Sequence, residues 1–167
     1  MVIFKTLYLA LFVNMLPSMC IIDNSLGSDT LVPEYEISCA GYGVEGTYLA
    51  KVSVLLPKPN EKVLENLRMA AVHGVIFKGL PASINCDGYR PFVSNPDALK
   101  NNADYFQSLF SDSYMSSYYA SVLEGTLNVL KIKKKLYKIT ATVSIKKDSL
   151  RRKLEQDGII KGFSDLF

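Results

Sequence analysis

A single histidine, His73, and three cysteines among 167 residues leave the common catalytic and metal-binding constellations without material. The chain has no histidine cluster, no H-E-x-x-H, no G-x-S-x-G and no P-loop, so metal-assisted hydrolysis, nucleophile-elbow chemistry and P-loop phosphate binding all lack their local motifs. Cys20, Cys39 and Cys86 stand outside the C-x-x-C spacing of metal and redox sites, and neither a metal nor a cofactor is expected. Long apolar runs are missing too: the longest, residues 7–16 with Asn14 inside it, is roughly half of what a membrane-spanning helix needs. A net charge of +3 is too mild to imply a polyanionic partner, so nucleic acid is not expected. The 16 carboxylates leave room for an acid pair meeting in space, as glycoside hydrolysis requires, but no pair stands out.

What the chain does have is one pronounced amphipathic segment, residues 60–79, around which the remainder can be arranged. Pro59 precedes Asn60, a residue type whose side chain can accept a hydrogen bond from a free amide of a first helical turn, and Val63, Leu67, Ala70, Ala71 and Gly74 recur at helical spacing. Glu61, Lys62, Glu65, Asn66 and Arg68 fall mostly on other faces. Ala70, Ala71 and Gly74 are small enough for the axis to approach its partner closely, and a sheet is the expected partner. Val75-Ile76-Phe77 reads either as the last helical turn or as a short strand. His73 sits beside the stripe as a hydrogen-bonded structural residue; acting as a general base, it would need a nucleophile or carboxylate brought from elsewhere.

With 49% hydrophobic and 21% charged residues and no long low-complexity run, the composition is globular, and the length suits one domain. Residues 1–20 carry Lys5 ahead of the apolar run and small or turn-forming residues behind it, the pattern of a signal peptide. Cys20, just after that run, resembles the lipobox cysteine of bacterial lipoproteins, which is lipidated and becomes the mature N-terminus; Ser18 suits the pattern, Pro17 and Met19 do not. Cleavage after Ser25-Leu26-Gly27 fits the small-x-small rule about as well, and a buried N-terminal helix is the plainer alternative. Residues 21–33 have the turn-rich composition of a tether. Either processing route leaves Cys39 and Cys86, for which a disulfide in an oxidising compartment and two buried thiols are both open.

From residue 34 the pattern changes to one folded domain, 34–167. Tyr35, Ile37 and Cys39 alternate with polar residues, as do Tyr48, Ala50, Val52, Val54 and Leu56 with Lys51 and Ser53, which predicts two strands in a hairpin. Their connection spells G-x-G-x-x-G from Gly41 to Gly46, but a strand follows where a dinucleotide site needs a helix, so the glycines read as backbone freedom in a loop or bulge. If Cys86, in the loop 80–94, pairs with Cys39, it staples that loop to the hairpin. Asn95-Pro96-Asp97 then opens a second helix with Leu99, Ala103, Phe106 and Phe110 inward, interrupted at Ser111-Asp112-Ser113.

Tyr114, Met115, Tyr118, Tyr119, Val122 and Leu123 continue as a further helical piece. With Tyr105 and Phe106 they make the most aromatic part of the chain, a ligand or partner surface or else core packing. Residues 126–132 and 136–145 predict a second hairpin about the turn Lys133-Lys134-Lys135. Asp148 then caps a last helix with Leu150 and Leu154 inward, and Gly158 stops it. The tail keeps Ile160, Phe163, Leu166 and Phe167, so docking is expected. The region 131–153 holds ten of the 19 Lys+Arg against one acid, Asp148; its lysines solvate the hairpin tip and guard an edge, or touch anionic lipid headgroups.

The expected architecture is an α+β sandwich, an antiparallel sheet of about four strands with two or three helices on one face. The blocks GTYLAKVSV, AAVHGVIFKGLP, NADYFQSLF and KLYKITATVSIKKDSLRRKLEQDGIIKGF resemble a group of uncharacterised exported or lipid-anchored proteins of Bacteroidetes-type bacteria, over residues 34–167. The element order is also similar to that of small lipoprotein domains associated with flagellar assembly and cell-surface structures, which are assembly modules. The resemblance implies an exported protein of the periplasm or outer membrane, and it carries no catalytic residue over. The functional expectation is a non-enzymatic module that self-associates or binds another envelope protein, lipid-anchored if Cys20 is modified. The alternative is a periplasmic small-ligand binder or hydrolase with its site between His73 and the segment bearing Tyr105, Tyr114, Tyr118 and Tyr119.

Overall fold

Alternation at a period of two residues builds the sheet. In the computed structural model, which describes residues 32–84, 86–95 and 97–162, β1 (Tyr35–Tyr42) and β2 (Tyr48–Leu56) form the expected hairpin, with Cys39 opposite Ala50. The expected signal peptide with Cys20, most of the expected tether 21–33, and Phe163, Leu166 and Phe167 lie outside the described residues. β5 (Leu136–Ile145) runs antiparallel along the other side of β2, and two short strands share its far edge, β3 (Ala120–Val122) and β4 (Asn128–Lys133). The order is β1-β2-β5-β3, with β4 also on β5. Among the described residues the sheet therefore has five strands where about four are expected. The addition is β3: Ala120 takes extended backbone (φ −134, ψ 137) and pairs with Ile145, so the chain satisfies a strand edge instead of continuing the helix through Val122 and Leu123.

One face of the sheet carries the helices. α1 (Val63–Phe77) lies on it, with Leu67, Ala70, Ala71 and Ile76 fully buried against Ala50, Val52 and Val54 of β2 and Ile139, Val143 and Ile145 of β5. Each such valine, leucine or isoleucine contributes about 1.5–3 kcal/mol by leaving water. Gly74 sets the closeness of approach: a Cβ there would stand 2.6 Å from Cδ1 of Ile37. Val75, Ile76 and Phe77 complete the last turn of α1, which ends where the amides of Lys78 and Gly79 (φ 71) both reach the Gly74 carbonyl at 2.8 Å. Asn60 does not cap this helix; its side chain accepts from the Lys62 amide at 3.1 Å in a turn ahead of it.

Three shorter helices cross the connection to β3: α2 (Ala98–Asn101), α3 (Ala103–Ser111) and α4 (Ser113–Tyr119). Asn102 breaks the segment that helical spacing would run straight through. Its backbone leaves the helical region (φ −126, ψ 36) and its side-chain amide donates to the Ala98 carbonyl at 3.0 Å. Leu99 and Ala103 consequently face water while Phe106, Leu109 and Phe110 are buried. Asp112 caps α4 by accepting from the Tyr114 amide at 2.8 Å. α5 (Lys147–Gln156) buries Leu150 and Leu154; Asp148 lies in its first turn and not at the cap, and Gly158 (φ 72) closes it, with the Ile159 amide on the Leu154 carbonyl at 2.9 Å.

The two edges of the sheet are treated differently. Along β1 the loop 80–89 closes in: the Cys39 amide donates to the Pro81 carbonyl at 3.0 Å, and Cys39 is bonded to Cys86 with their Cα atoms 6.0 Å apart. Along β5 the edge is interrupted at residues 123–127. There the Leu123 amide donates to the Thr142 carbonyl at 2.9 Å, and the Thr142 amide donates to the Thr126 hydroxyl at 3.1 Å. A side-chain oxygen replaces a missing strand carbonyl, so the strand starts at Asn128 and not at Thr126.

Candidate functional site

His73 is spoken for. Its Nδ1 lies 2.6 Å from the Tyr35 hydroxyl, in a hydrogen bond whose direction follows the tautomer of the ring. The imidazole is packed against Phe77 and Phe110, with centroids at 4.9 and 5.2 Å. Burial, helped by the nearby Lys78 ammonium, lowers its pKa to about 4, so at neutral pH it is an uncharged ring wedged between α1, α3 and β1. Burial also raises the Tyr35 phenol, and Lys78 caps that ring from 3.9 Å.

The tyrosines of the aromatic segment do not converge on His73. The Tyr105 hydroxyl turns to Asp157, donating at 2.6 Å, and burial followed by that bond holds its pKa above the ordinary range. Tyr119 is buried at the end of α4. Tyr114 and Tyr118 stack on each other with centroids 6.4 Å apart on the exposed side, where the Lys146 ammonium lies 4.5 Å from the Tyr118 ring. What approaches His73 from this segment is Phe110, with Phe106 behind it on Phe77 at 4.8 Å. The region between them is aromatic packing.

Gly41 (φ 133) and Gly46 (φ 76) serve the hairpin, the first at the bulge beyond Cys39 and the second in the turn before β2. Among the described residues no three His, Cys, Asp or Glu side chains converge as a metal site requires, and no helix is long and apolar enough to cross a membrane. A depression of about 310 Å³ beside Tyr48 and Phe92 mixes Lys147 and Arg151 with Asp148, and Arg151 is already held by Glu155 at 2.8 Å.

The larger concavity, about 790 Å³, lies on the helix-free face of the sheet. Glu36 and Ser38 of β1, Lys51 and Ser53 of β2, Lys138 and Thr140 of β5 and Asn128 and Leu130 of β4 line it. Its floor is internally satisfied: the Ser53 and Thr140 hydroxyls are 2.8 Å apart, and Lys138 pairs with Glu36 at 2.5 Å. Its rim is not. Every residue of β4 is exposed, and Val129, Leu130 and Ile132 stand 48, 60 and 45% open to solvent. Together with Leu123 and Leu127 they make up five of the twelve large hydrophobic residues exposed among the described residues.

This edge has no counterpart among the residues that motif and aromatic spacing single out. Its signal in the sequence is Val129 next to Leu130: adjacent apolar residues in a short strand place one on each face, although one face of the hairpin is expected to be wet. The fold defines an α+β domain of two layers, helices on one face of a five-stranded antiparallel sheet and the other face uncovered among the described residues. Comparison of the chain with family models, with curated proteins and with solved structures finds no match.

Proposed function

We propose that this chain is a non-enzymatic binding module of the bacterial cell envelope, exported, tethered to the membrane when Cys20 is lipidated, and docked to another envelope component through the β4 edge. The observation that carries this reading is the concentration of exposed Val129, Leu130 and Ile132 on a strand that, among the described residues, pairs on one side only. An open strand edge with apolar side chains is costly to leave in water and is a ready template for another chain. Export is supported by the leader-like run ahead of Cys20 and by the bonding of Cys39 to Cys86, a link that persists in oxidising compartments. The ligand-binder or hydrolase reading centred on His73 has less support, because the ring is enclosed by phenylalanines and its Nδ1 is taken up by the buried Tyr35 phenol.

The test is the size of the native species in gently solubilised envelopes. The wild-type chain is expected in an assembly larger than its own monomer, and the triple substitution Val129→Ser, Leu130→Ser, Ile132→Ser is expected to release it with its far-ultraviolet circular dichroism unchanged. A monomeric wild type, or an assembly indifferent to the triple substitution, contradicts the reading.

A further inference from the structure

We infer that the occupant of the β4 edge is an extended segment of a different protein, bearing apolar and acidic residues on both of its faces, which adds to the sheet as a sixth strand. The inference rests on β4 being the docking edge and concerns what docks there.

Three observations select the occupant. The first is two-sidedness. Val129 is in register with Ile139, on the side of the sheet that carries the helices, and Leu130 with Lys138, on the open side. A strand laid along β4 meets an apolar side chain on either face, which a partner helix resting on one face would not use.

The second is charge. Residues 125–147 contain no Asp or Glu, yet Lys131 and Lys133 lie in β4 and Lys134 and Lys135 in the turn beyond it. Among the described residues none of these four has a carboxylate partner; the ion pairs present are Lys138 with Glu36, Arg151 with Glu155 and Lys153 with Asp157. Acidic side chains on an added strand fall opposite unpaired lysines, and opposite-charge cross-strand pairs are favourable where like pairs are not.

The third is the exclusion of a second copy. Antiparallel pairing of β4 with itself about Lys131 or Ile132 sets lysine against lysine, pairing about Leu130 sets Val129 against Lys131, and the other edge of the sheet is occupied where the Cys39 amide meets the Pro81 carbonyl and the loop is bonded through Cys86. Lysines alone would suffice to keep an edge unpaired. They do not account for the exposed Val129, Leu130 and Ile132 between them. Repelling copies of itself while accepting an acidic strand uses both features.

The probe is a short labelled peptide repeating Val-Val-Glu-Glu, so that each of its faces carries both residue types, titrated onto the full chain purified from envelopes. Saturable binding is expected, weakened about tenfold or more by K131E/K133E, since two attractive cross-strand pairs become repulsive. Methylating the backbone nitrogens of alternate residues in the peptide is expected to abolish binding in one of its two registers, and a valine–lysine peptide is expected not to bind. Equal binding of the valine–lysine peptide, indifferent response to both methylated forms, or concentration-dependent self-association through β4 overturns the inference. So does binding to phosphatidylglycerol vesicles that K131E/K133E removes while the valine–glutamate peptide fails to bind. If the native assembly is released by the triple serine substitution and the peptide still does not bind, the strand inference falls and the docking edge stands; if the assembly survives that substitution, the docking reading itself falls.

Discussion

The Tyr35 hydroxyl lies 2.6 Å from Nδ1 of His73, so the one histidine of the chain ties α1 to the first strand of the sheet. The pair joins residues 38 positions apart, and the enclosing rings of Phe77 and Phe110 keep the imidazole neutral. The chemistry a histidine usually offers near neutral pH is given up here for packing.

That arrangement makes stability depend on pH with a definite sign. The folded-state pKa of His73 is about 4, below the ordinary 6.5, so between these values the unfolded chain binds a proton that the folded chain does not. Stability is full above pH 6.5 and falls on acidification toward pH 4, by at most about 1.4 kcal/mol per pH unit. Urea unfolding across that window measures the slope, and His73→Gln is expected to remove the part due to this residue. An unchanged slope in the variant would show that other groups set it.

The bond between Cys39 and Cys86 closes a long loop, with a sequence separation of 47. Loop-closure entropy alone assigns it about 4 kcal/mol. Replacing both cysteines by serine is expected to cost about 2–4 kcal/mol in urea unfolding and to expose the turn bearing Ile84, which is fully open to solvent, to proteolysis. Reductant should reproduce the loss in the wild type and do nothing to the variant.

Gly74 and Ile37 form a coupled pair. Alanine in place of Gly74 gains about 1 kcal/mol of helix propensity, but its Cβ would stand 2.6 Å from Cδ1 of Ile37 and 3.3 Å from the Tyr35 ring. Overpacking of this kind costs about 1–3 kcal/mol, so Gly74→Ala is expected to destabilise. Ile37→Val removes the nearer methyl, and in a double-mutant cycle it should recover part of that cost. Additive effects would mean that the helix shifts to accommodate the methyl.

The strands β2 and β5 and the stripe of α1 are legible in the sequence because each buries one face and wets the other, and burial is what spacing records. Asn102 is not legible. Leu99, Ala103, Phe106 and Phe110 keep helical spacing across it, and only its side-chain bond to Ala98 reveals the break. The switch from helix to strand at Ala120 is hidden for a related reason: it is decided by the unpaired edge of β5, a partner distant in sequence. The same non-local fact conceals the candidate site. Alternation says that residues 128–133 form a strand but not that its outer side has no neighbour among the described residues, and the exposed Tyr114 and Tyr118 draw attention to a segment whose remaining aromatics are packed.

Docking through β4 is the central claim, and photocrosslinking in intact cells tests it most directly. A photoreactive residue replaces Leu130 in one variant and Arg152, on the exposed side of α5, in another. The account predicts a discrete crosslinked species from position 130, containing one copy of this chain and one of another envelope protein, and none from position 152. No crosslink from position 130, or the same product from both positions, would contradict it.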